Sequence, residues 1–511
     1  MQFDLHSGSD LMRALAPDLV VMAGAMVLML ASAMIKDRAK AQRNVGFAAI
    51  VVCLAALGVV IASAAAGNSS GDGPIAVDRF RWAVDGVILI GAIGAIALGI
   101  EDNEREQILT AESHVLVLLA SSGMMIMAAA RDLMVLFLAI ELMSLSTYVL
   151  CGINRRSPRS AESALKYFLL GSFSTAFLLY GIALTYGATG TTELGFIAKH
   201  VREGLEGRDV LFHGGIALML VGFSFKVSAA PFHMWAPDVY EGAPTPITAY
   251  MSATVKTAAF AALLRVWTEA FPGAVETWRG PLTVIAVTTM IVGSVIALPQ
   301  RNVKRMLAYS SIVHSGYILI AALATTDTGR SAFLFYLVSY TLATLGAFAV
   351  VGAVSKQNEG KLSILDYSGL WHERPWLAMA MAIYMLSLLG FPIFGGTGFY
   401  AKYYMLTAAL SGPVKMPGVA VALVLTSCVS AGFYLYLVQL MFMKDRPAGE
   451  RVGATGTLTR FVIWGTATAI IVLGIFASPL SRWAADSAPM HGIAATTSAT
   501  TSPAAAASAG K

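Results

Sequence analysis

Residues 133–150 read LMVLFLAIELMSLSTYVL, an apolar run that contains one ionisable side chain, Glu141. A helix needs about 20 mainly apolar residues to cross the ~30 Å hydrocarbon layer of a bilayer. Glu141 lies eight residues beyond Leu133, which is about 12 Å along a helix and near the middle of that layer. The stretch therefore predicts a membrane helix with a carboxyl group at a depth where charge is costly.

The composition extends this prediction to the whole chain of 511 residues. It is 57% hydrophobic and only 13% charged, with a mean hydropathy of +0.70, whereas a soluble domain is about 25% charged. The net charge of +5 comes from basic residues in short loops, which indicates membrane topology and argues against nucleic-acid binding. Cys53, Cys151 and Cys428 lack any metal-site spacing. We predict a polytopic all-α membrane protein with no metal and no cofactor of its own.

Apolar runs between polar or Pro/Gly breaks predict about fourteen transmembrane helices. The run at 376–410 would measure roughly 50 Å as one straight helix. Because Pro392 and several glycines, Gly395 among them, lie in its middle, we expect a helix that is broken inside the membrane. The predicted segments are 15–35, 45–66, 83–100, 113–130, 132–152, 163–187, 211–230, 246–267, 281–298, 306–324, 331–354, 376–410, 418–443 and 459–478.

The loops that follow odd-numbered segments carry most of the loop Lys and Arg residues. The positive-inside rule therefore places these loops in the cytoplasm and both termini on the periplasmic side of a bacterial inner membrane. The acidic loop 101–112 is an exception on the predicted inner side. Residues 484–511 are rich in Ala, Ser and Thr and predict a disordered tail.

Glu141 and Lys256 lie near the middle of predicted segments, where a charge costs at least ~2.5–3.5 kcal/mol. Such residues usually face the interior of the bundle, where they pair or conduct, so both are candidates for proton transfer. Two structural alternatives stay open. Glu141 would be a hydrogen-bonded carboxylic acid between helices, and Lys256 would be a permanent cation.

Lys226 and Lys402 each lie beside a helix interruption. Lys226 precedes Pro231 and His233, and Lys402 follows the glycine-rich break. Paired interrupted helices are the best sequence indication of a transport site, and the opposite order of lysine and break suggests an inverted repeat. For both lysines the alternative is a side chain that extends to the membrane surface, and His233 is equally well a plain loop histidine.

Three further ionisable residues lie within predicted segments. Lys166 is about one turn into the sixth segment, where a functional role and extension to the surface are both open. His314 is either a proton relay or a buried, hydrogen-bonded histidine. Arg265, near the end of the eighth segment, is predicted to extend to the membrane interface.

Three stretches resemble the antiporter-like membrane subunits of respiratory complex I, the NADH–quinone oxidoreductase, and among them subunit N most closely. They read FKVSAAPFHMWAPDVYEGAPTPITAYMSATVKTAAF from residue 225, RNVKRMLAYSSIVHSGY from residue 301 and LLGFPIFGGTGFYAK from residue 388. The resemblance runs from about residue 110 to 445. It implies two inverted five-helix repeats with broken helices 7 and 12.

Together with the predicted segments and the tail, the resemblance divides the chain into five parts. They are 1–110 (helices 1–3), 111–267 (first antiporter-like repeat), 281–443 (second repeat), 459–478 (helix 14) and 484–511 (disordered tail). It also implies that the partners are other membrane subunits of complex I, and that redox chemistry resides in partner subunits, which would hold the quinone, NADH, FMN and iron–sulfur clusters.

The resemblance further implies roles for the buried residues. Glu141 would pair with Lys226 and tune its affinity for a proton, and Lys166 would influence that pair. Lys256, with His233 and water, would carry the proton along the middle of the membrane. Lys402 would be the terminal site that opens to the periplasm.

Three other functions are also compatible with the sequence. The chain would be a subunit of a multisubunit cation/proton antiporter or membrane-bound hydrogenase, a stand-alone secondary transporter, or a scaffold in which buried charges only hold neighbouring subunits. Sodium-dependent activity without NADH oxidation would indicate the first of these.

Overall fold

The computed structural model describes residues 2–3, 5, 7–70, 73–355, 362–392, 396–411, 414–446 and 453–490. In these ranges thirteen helices are long and apolar enough to cross a membrane, and two shorter helices supply one further segment. We number them α1 Ala16–Met34, α2 Arg38–Ala65, α3 Arg79–Arg105, α4 Glu112–Ala129, α5 Leu133–Cys151, α6 Pro158–Thr189, α7 Asp209–Lys226, α8 Thr245–Glu269, α9 Pro272–Ala297, α10 Val303–Ala324, α11 Asp327–Val354, α12 Pro375–Leu389, α13 Thr397–Ser411, α14 Pro417–Met443 and α15 Thr457–Ile475.

Local sequence signals start many of these helices. Asp37 and Asp132 accept hydrogen bonds from backbone N–H groups in the first turns of α2 and α5, and Asn302 caps α10 in the same way. Such caps satisfy donors that the helix itself leaves unpaired. Pro158 and Pro417 occupy the first turns of α6 and α14, where the missing proline N–H has no cost.

The seventh and twelfth segments are both interrupted, as predicted. After α7 the chain turns through a cis Ala230–Pro231 peptide bond and resumes as a short helix, Trp235–Gly242. The twelfth segment consists of α12 and α13, and Gly390 ends α12 with a φ of +73°, a conformation that favours glycine. Gly395, which we expected within the break, lies outside the described residues. The fourteen-segment, all-helical prediction is thus confirmed.

Shorter elements complete the described chain. The two-residue strands Gln2–Phe3 and Ser69–Ser70 pair in parallel, and α8 contains a π-helical turn at Met251–Val255. The others are helices Gly8–Ala14, Leu194–Glu203, Leu370–Glu373 and Ala477–Ser487, with 3₁₀ turns at Pro272–Ala274, which begins α9, and Ile364–Tyr367.

The C-terminal region differs from the prediction at one point. Residues 484–487 belong to the helix Ala477–Ser487, which packs against α11 and α3, so they are not part of a disordered tail. Leu480, Ala484 and Ser487 are buried at helical spacing, an apolar period that begins before residue 484 and so is not visible in the Ala/Ser/Thr-rich stretch alone. The rest of the predicted tail beyond residue 490 lies outside the described residues.

Helices α8 and α10 lie at the centre of the bundle. Their apolar stretches are buried throughout, whereas α1, α2, α14 and α15 expose most of theirs. Side chains on α8 and α10 therefore face protein and not lipid. Lys256 and His314 lie on these two helices, so the fold places both within the protein interior.

Candidate functional site

Lys226 is the last residue of α7, and its side chain is buried against α5. Its Nζ donates a hydrogen bond to Ser144 Oγ at 2.8 Å and lies 5.9 Å from the ring centroid of Tyr148. The carboxyl end of a helix carries partial negative charge, so this position favours an ammonium group. The side chain does not extend to the surface of the chain, which excludes that alternative for Lys226.

Glu141 lies on α5, three residues before Ser144 and thus on the same face of the helix. It is half-buried, and its Oε1 atom is buried without a hydrogen-bond partner. The carboxylate is close enough to Lys226 to act on it through its charge. Within the described residues the two do not form a direct ion pair, because Lys226 is hydrogen-bonded to Ser144 instead.

Lys256 follows directly after the π-helical turn of α8. A π turn of this kind is frequent at functional sites. Lys256 Nζ donates to the backbone carbonyl of Ser311 at 2.7 Å and to Ser315 Oγ at 2.9 Å. Ser315 Oγ in turn donates to the carbonyl of Val227 at 2.6 Å. Since Val227 is adjacent to Lys226, one hydroxyl connects the surroundings of the two lysines.

His314 lies on the same helix as Ser311 and Ser315, and it is buried among tyrosines. Its Nδ1 is 2.6 Å from the hydroxyl of Tyr336, and its Nε2 is 3.1 Å from that of Tyr434. The Tyr340 ring lies 5.1 Å from the imidazole, between centroids, and its hydroxyl donates to Ser311 Oγ at 2.9 Å. His314 is therefore buried and hydrogen-bonded, and its neighbour Tyr340 bonds to Ser311, whose carbonyl accepts from Lys256.

A small cavity separates His314 from Lys402, and both residues line it. Its volume of about 10 Å³ is near the ~10–15 Å³ that one water molecule requires. The other lining residues include the hydroxyl-bearing side chains of Tyr336, Ser339 and Tyr340. The cavity thus offers polar partners to a single water between the two ionisable groups.

Lys402 is buried in the first half of α13. Its Nζ donates to the carbonyl of Leu389, where α12 ends, at 2.8 Å and to Ser427 Oγ at 3.0 Å. The ammonium also lies 4.8 Å from the ring centroid of Tyr317, whose hydroxyl accepts from Ser427 at 3.1 Å. The interruption supplies an acceptor that a continuous helix would not offer, because its last carbonyls lack intrahelical partners.

The structure does not bring His233 and Lys166 into this hydrogen-bonded set. His233 lies in the turn after α7, and its Nδ1 is buried without a hydrogen-bond partner. Lys166 contacts two carboxylates instead, Asp238 at 2.8 Å and Glu162 at 2.7 Å. Arg305 also contacts Asp238, at 2.8 Å. Lys166 thus belongs to an ion-pair network that ties α6 and α10 to the helix Trp235–Gly242.

The prediction that Arg265 extends to the membrane interface is wrong. Its side chain is fully buried, with hydrogen bonds to Asp78 at 2.9 and 3.1 Å and to Glu269 at 2.7 Å. Its Nε also donates to the carbonyl of Ala128 at 2.9 Å. Asp78 and Arg265 are far apart in the sequence and come together only in the folded bundle, so the sequence does not indicate that they pair.

The polar partners of the lysines were also missed from the sequence. Ser144, Ser315 and Ser427 contact the lysines through hydroxyls in apolar helices, and Ser311 does so through its backbone carbonyl. Most hydroxyls in such helices bond only to their own helix. These serines differ from the others only in that each faces an intramembrane lysine on a neighbouring helix, which the sequence does not reveal. Among the described residues, no group of three or more His, Cys, Asp or Glu side chains is arranged to hold a metal ion.

Comparison with known proteins agrees with this architecture. The family profile described as the transmembrane region of NADH:quinone oxidoreductase and Mrp antiporters matches residues 130–430. NADH-quinone oxidoreductase subunit N of Gemmatimonas aurantiaca is 47% identical over 98% of this chain and 97% of that protein. The subunit N of Trichlorobacter lovleyi is 40% identical over 86% of this chain and 88% of its own length.

A solved structure supports the same relationship. A chain of respiratory complex I from Thermus thermophilus with bound aureothin is 34% identical and superimposes with a TM-score of 0.77, covering 92% of this chain and 99% of that one. With sequence relatives and structure in agreement, the chain belongs to the NADH-quinone oxidoreductase subunit N family of antiporter-like membrane proteins.

Proposed function

We propose that this chain is a proton-translocating membrane subunit of an NADH–quinone oxidoreductase. The observation that carries the proposal is the line of buried lysines, Lys226, Lys256 and Lys402, with hydroxyl groups, His314 and a water-sized cavity between them. Buried ionisable residues that face the interior of a membrane bundle mark ion pathways and proton relays. The subunit N relatives support the assignment to this kind of complex.

The relay begins at Lys226 and Glu141. An ammonium group near a carboxylate is stabilised, and it releases its proton more readily when the carboxylate moves away or another cation approaches. Oε1 of Glu141 has no hydrogen-bond partner. No bond from this oxygen therefore fixes the distance between the carboxyl group and Lys226. A shift of α5 relative to α7 would then control the charge of Lys226.

The proton then moves towards Lys256. Ser315 accepts from Lys256 and donates to the carbonyl beside Lys226, so its hydroxyl holds the Lys256 ammonium towards the end of α7. Water near the interruption, with His233 as a partner, would complete the connection to Lys226. The orphan Nδ1 of His233 is consistent with such a water.

From Lys256 the route continues through His314 to Lys402. The tyrosine hydroxyls of Tyr336 and Tyr434 hold the imidazole in place. One water in the cavity would then bridge His314 and Lys402, from which the proton leaves to the periplasm. Lys166 acts on the first part of the route only indirectly, through Asp238 and the helix Trp235–Gly242.

The setting of the relay is also proposed. The chain lies in a bacterial inner membrane with both termini in the periplasm, beside other membrane subunits of the complex. Quinone, NADH, FMN and the iron–sulfur clusters would be bound by other partner subunits of the complex, and quinone reduction there would drive the movement of charge in this chain.

The decisive experiment compares Lys256→Met with the exposed control Lys199→Met in inverted vesicles that contain the whole complex. We expect Lys256→Met to lower the number of protons moved per NADH oxidised, because methionine fills the space but does not titrate. Lys199→Met should leave this ratio at its native value. Normal pumping by Lys256→Met would overturn the relay. Sodium-dependent transport without NADH oxidation would instead support the cation/proton antiporter alternative.

A further inference from the structure

A second set of charged side chains is buried away from the lysine relay. It lies at the end of the bundle where α1 and α3 begin and α8 ends, which is the predicted periplasmic side. All of its members are at most 7% exposed. They are four carboxylates, Asp18, Asp78, Asp85 and Glu269, and three guanidinium groups, Arg81, Arg131 and Arg265.

One half of this cluster is well paired. Arg265 binds Asp78 through two nitrogens at 2.9 and 3.1 Å, and it binds Glu269 at 2.7 Å. Arg131 Nε donates to the other oxygen of Glu269 at 2.9 Å. Two cations thus face two carboxylates with short, directed hydrogen bonds, which is the arrangement that makes a buried ion pair tolerable.

The other half is not balanced. Arg81 is shared by Asp18, at 2.6 Å, and by Asp85, at 3.4 Å without hydrogen-bond geometry. Neither oxygen of Asp85 has a hydrogen-bond partner, and Oδ1 of Asp18 also lacks one. Asp85 is completely buried, six residues or about 9 Å into α3, so bulk water does not reach it.

No other described cation compensates for Asp85. Arg330 on α11 is used by Asp327 and by the carbonyl of Ala488. Arg482 and Asp486, on the C-terminal helix that packs against α3, are exposed. The charged residues of α2 and α4 lie in their first two turns, at the opposite end of the bundle. The cluster therefore has one more carboxylate than guanidinium groups.

We propose that Asp85 carries a proton, so that Asp18, Arg81 and Asp85 form a buried proton-binding site separate from the lysine relay. A neutral Asp85 carboxyl removes the excess negative charge of the cluster. Its O–H also supplies a hydrogen-bond donor beside Asp18 and Asp85, whose three unpartnered oxygens have none. Asp18 keeps its charge because it holds the short bond to Arg81. The proposal uses none of the relay residues and does not depend on the proposed function.

The test follows the pH dependence of stability. Asp85→Asn mimics the protonated side chain but cannot lose a proton. The purified complex that contains the full chain is heated at pH 6 to 9, and the rate at which the chain dissociates from the complex is measured by native electrophoresis. Unfolding releases the proton of Asp85 to water, so rising pH should accelerate loss of the native chain relative to Asp85→Asn, by up to about tenfold per pH unit.

Two further variants sharpen the result. Asp102→Asn removes a buried carboxylate at the other end of α3, one that is paired with Arg105, and its rate relative to the native chain should not change between pH 6 and 9. Asp18→Asn also brings acids and guanidinium groups into balance. It should therefore remove the same pH dependence as Asp85→Asn. The chain should be less stable at every pH, because the bond from Arg81 to a charged Asp18 is lost. Asp18→Asn replaces Asp85→Asn in the test if the latter does not assemble. A pH-independent ratio of native to Asp85→Asn rates overturns the proposal.

Discussion

Lys256 Nζ donates a hydrogen bond to Ser315 Oγ at 2.9 Å, and the same Ser315 hydroxyl donates to the backbone carbonyl of Val227, the residue next to Lys226. The lysines come from α7 and α8, whereas the serine comes from α10. A single side chain from a third helix therefore links the surroundings of two ionisable groups. This makes Ser315 the most direct point at which the relay can be interrupted without removing a charge.

Ser315→Ala should slow proton translocation. It leaves the Lys256 ammonium with one acceptor fewer and removes the donor to the Val227 carbonyl. An unsatisfied buried polar group costs about 1–3 kcal/mol, and 1.4 kcal/mol corresponds to a factor of about ten in rate. We expect the initial rate of NADH-driven acidification in inverted vesicles to fall several-fold or more.

Ser294→Ala is the matched control for this variant. Ser294 is a buried serine on α9 whose hydroxyl bonds to the carbonyl of Ile291 in its own helix. Its replacement should leave acidification near the native rate. Equal losses in the two variants would assign the effect to packing and would remove Ser315 from the relay.

Much of this fold follows from local sequence. Each membrane segment is a long apolar run, and the Pro/Gly breaks at the seventh and twelfth segments predict the interruptions beside Lys226 and Lys402. The burial of Lys256 and His314 and the half-burial of Glu141 follow from their depth in such runs, since charge at that depth must face protein. These features depend on residues that are close together in the chain.

Features that depend on distant residues could not be predicted. Asp78 and Arg265 are separated by most of the first repeat, so neither residue alone indicates a buried pair. Arg265 near a helix end has the pattern of a residue that extends to the interface, and burial reverses that interpretation. Similarly, the sequence does not distinguish Ser315, which bonds across helices, from Ser294, which does not.

His314→Asn should separate Lys256 from Lys402. Asparagine retains hydrogen bonds to the tyrosines around the site but does not titrate, so a proton carried by the imidazole could not pass. We expect a lower number of protons moved per NADH oxidised, with a normal amount of assembled complex on native gels. Tyr434→Phe, which removes only one partner of His314, should have a smaller effect. A native ratio in His314→Asn would indicate that His314 is only structural.

Arg265→Met should affect stability and not coupling. Removing one partner from a buried ion pair costs about 3–5 kcal/mol because charge is left less compensated; here Asp78 loses both nitrogens of Arg265, and Glu269 keeps Arg131. We expect less of the chain in the assembled complex, measured by immunoblot, but a native proton-to-NADH ratio in the complexes that form. The exposed Arg202→Met should leave abundance unchanged. A reduced ratio in the assembled fraction of Arg265→Met would contradict a purely structural role.

The network around Asp238 makes a pH-dependent contribution to stability. Partial burial alone would raise the pKa of Asp238, but hydrogen bonds from Lys166 and Arg305 outweigh it and lower the pKa below its usual value. A carboxyl whose pKa is lowered by folding stabilises the protein above its unfolded pKa of about 4, and this contribution is lost as pH falls through the folded pKa. Asp238→Asn should therefore lower thermal stability at pH 7 by on the order of 1 kcal/mol. The difference from the native chain should shrink below about pH 4. Thermal dissociation of the complex measures the stability difference at each pH, with the exposed Glu203→Gln as control. A stability difference between Asp238→Asn and the native chain that stays constant down to pH 3 would show that the charge of Asp238 does not stabilise the interrupted helix.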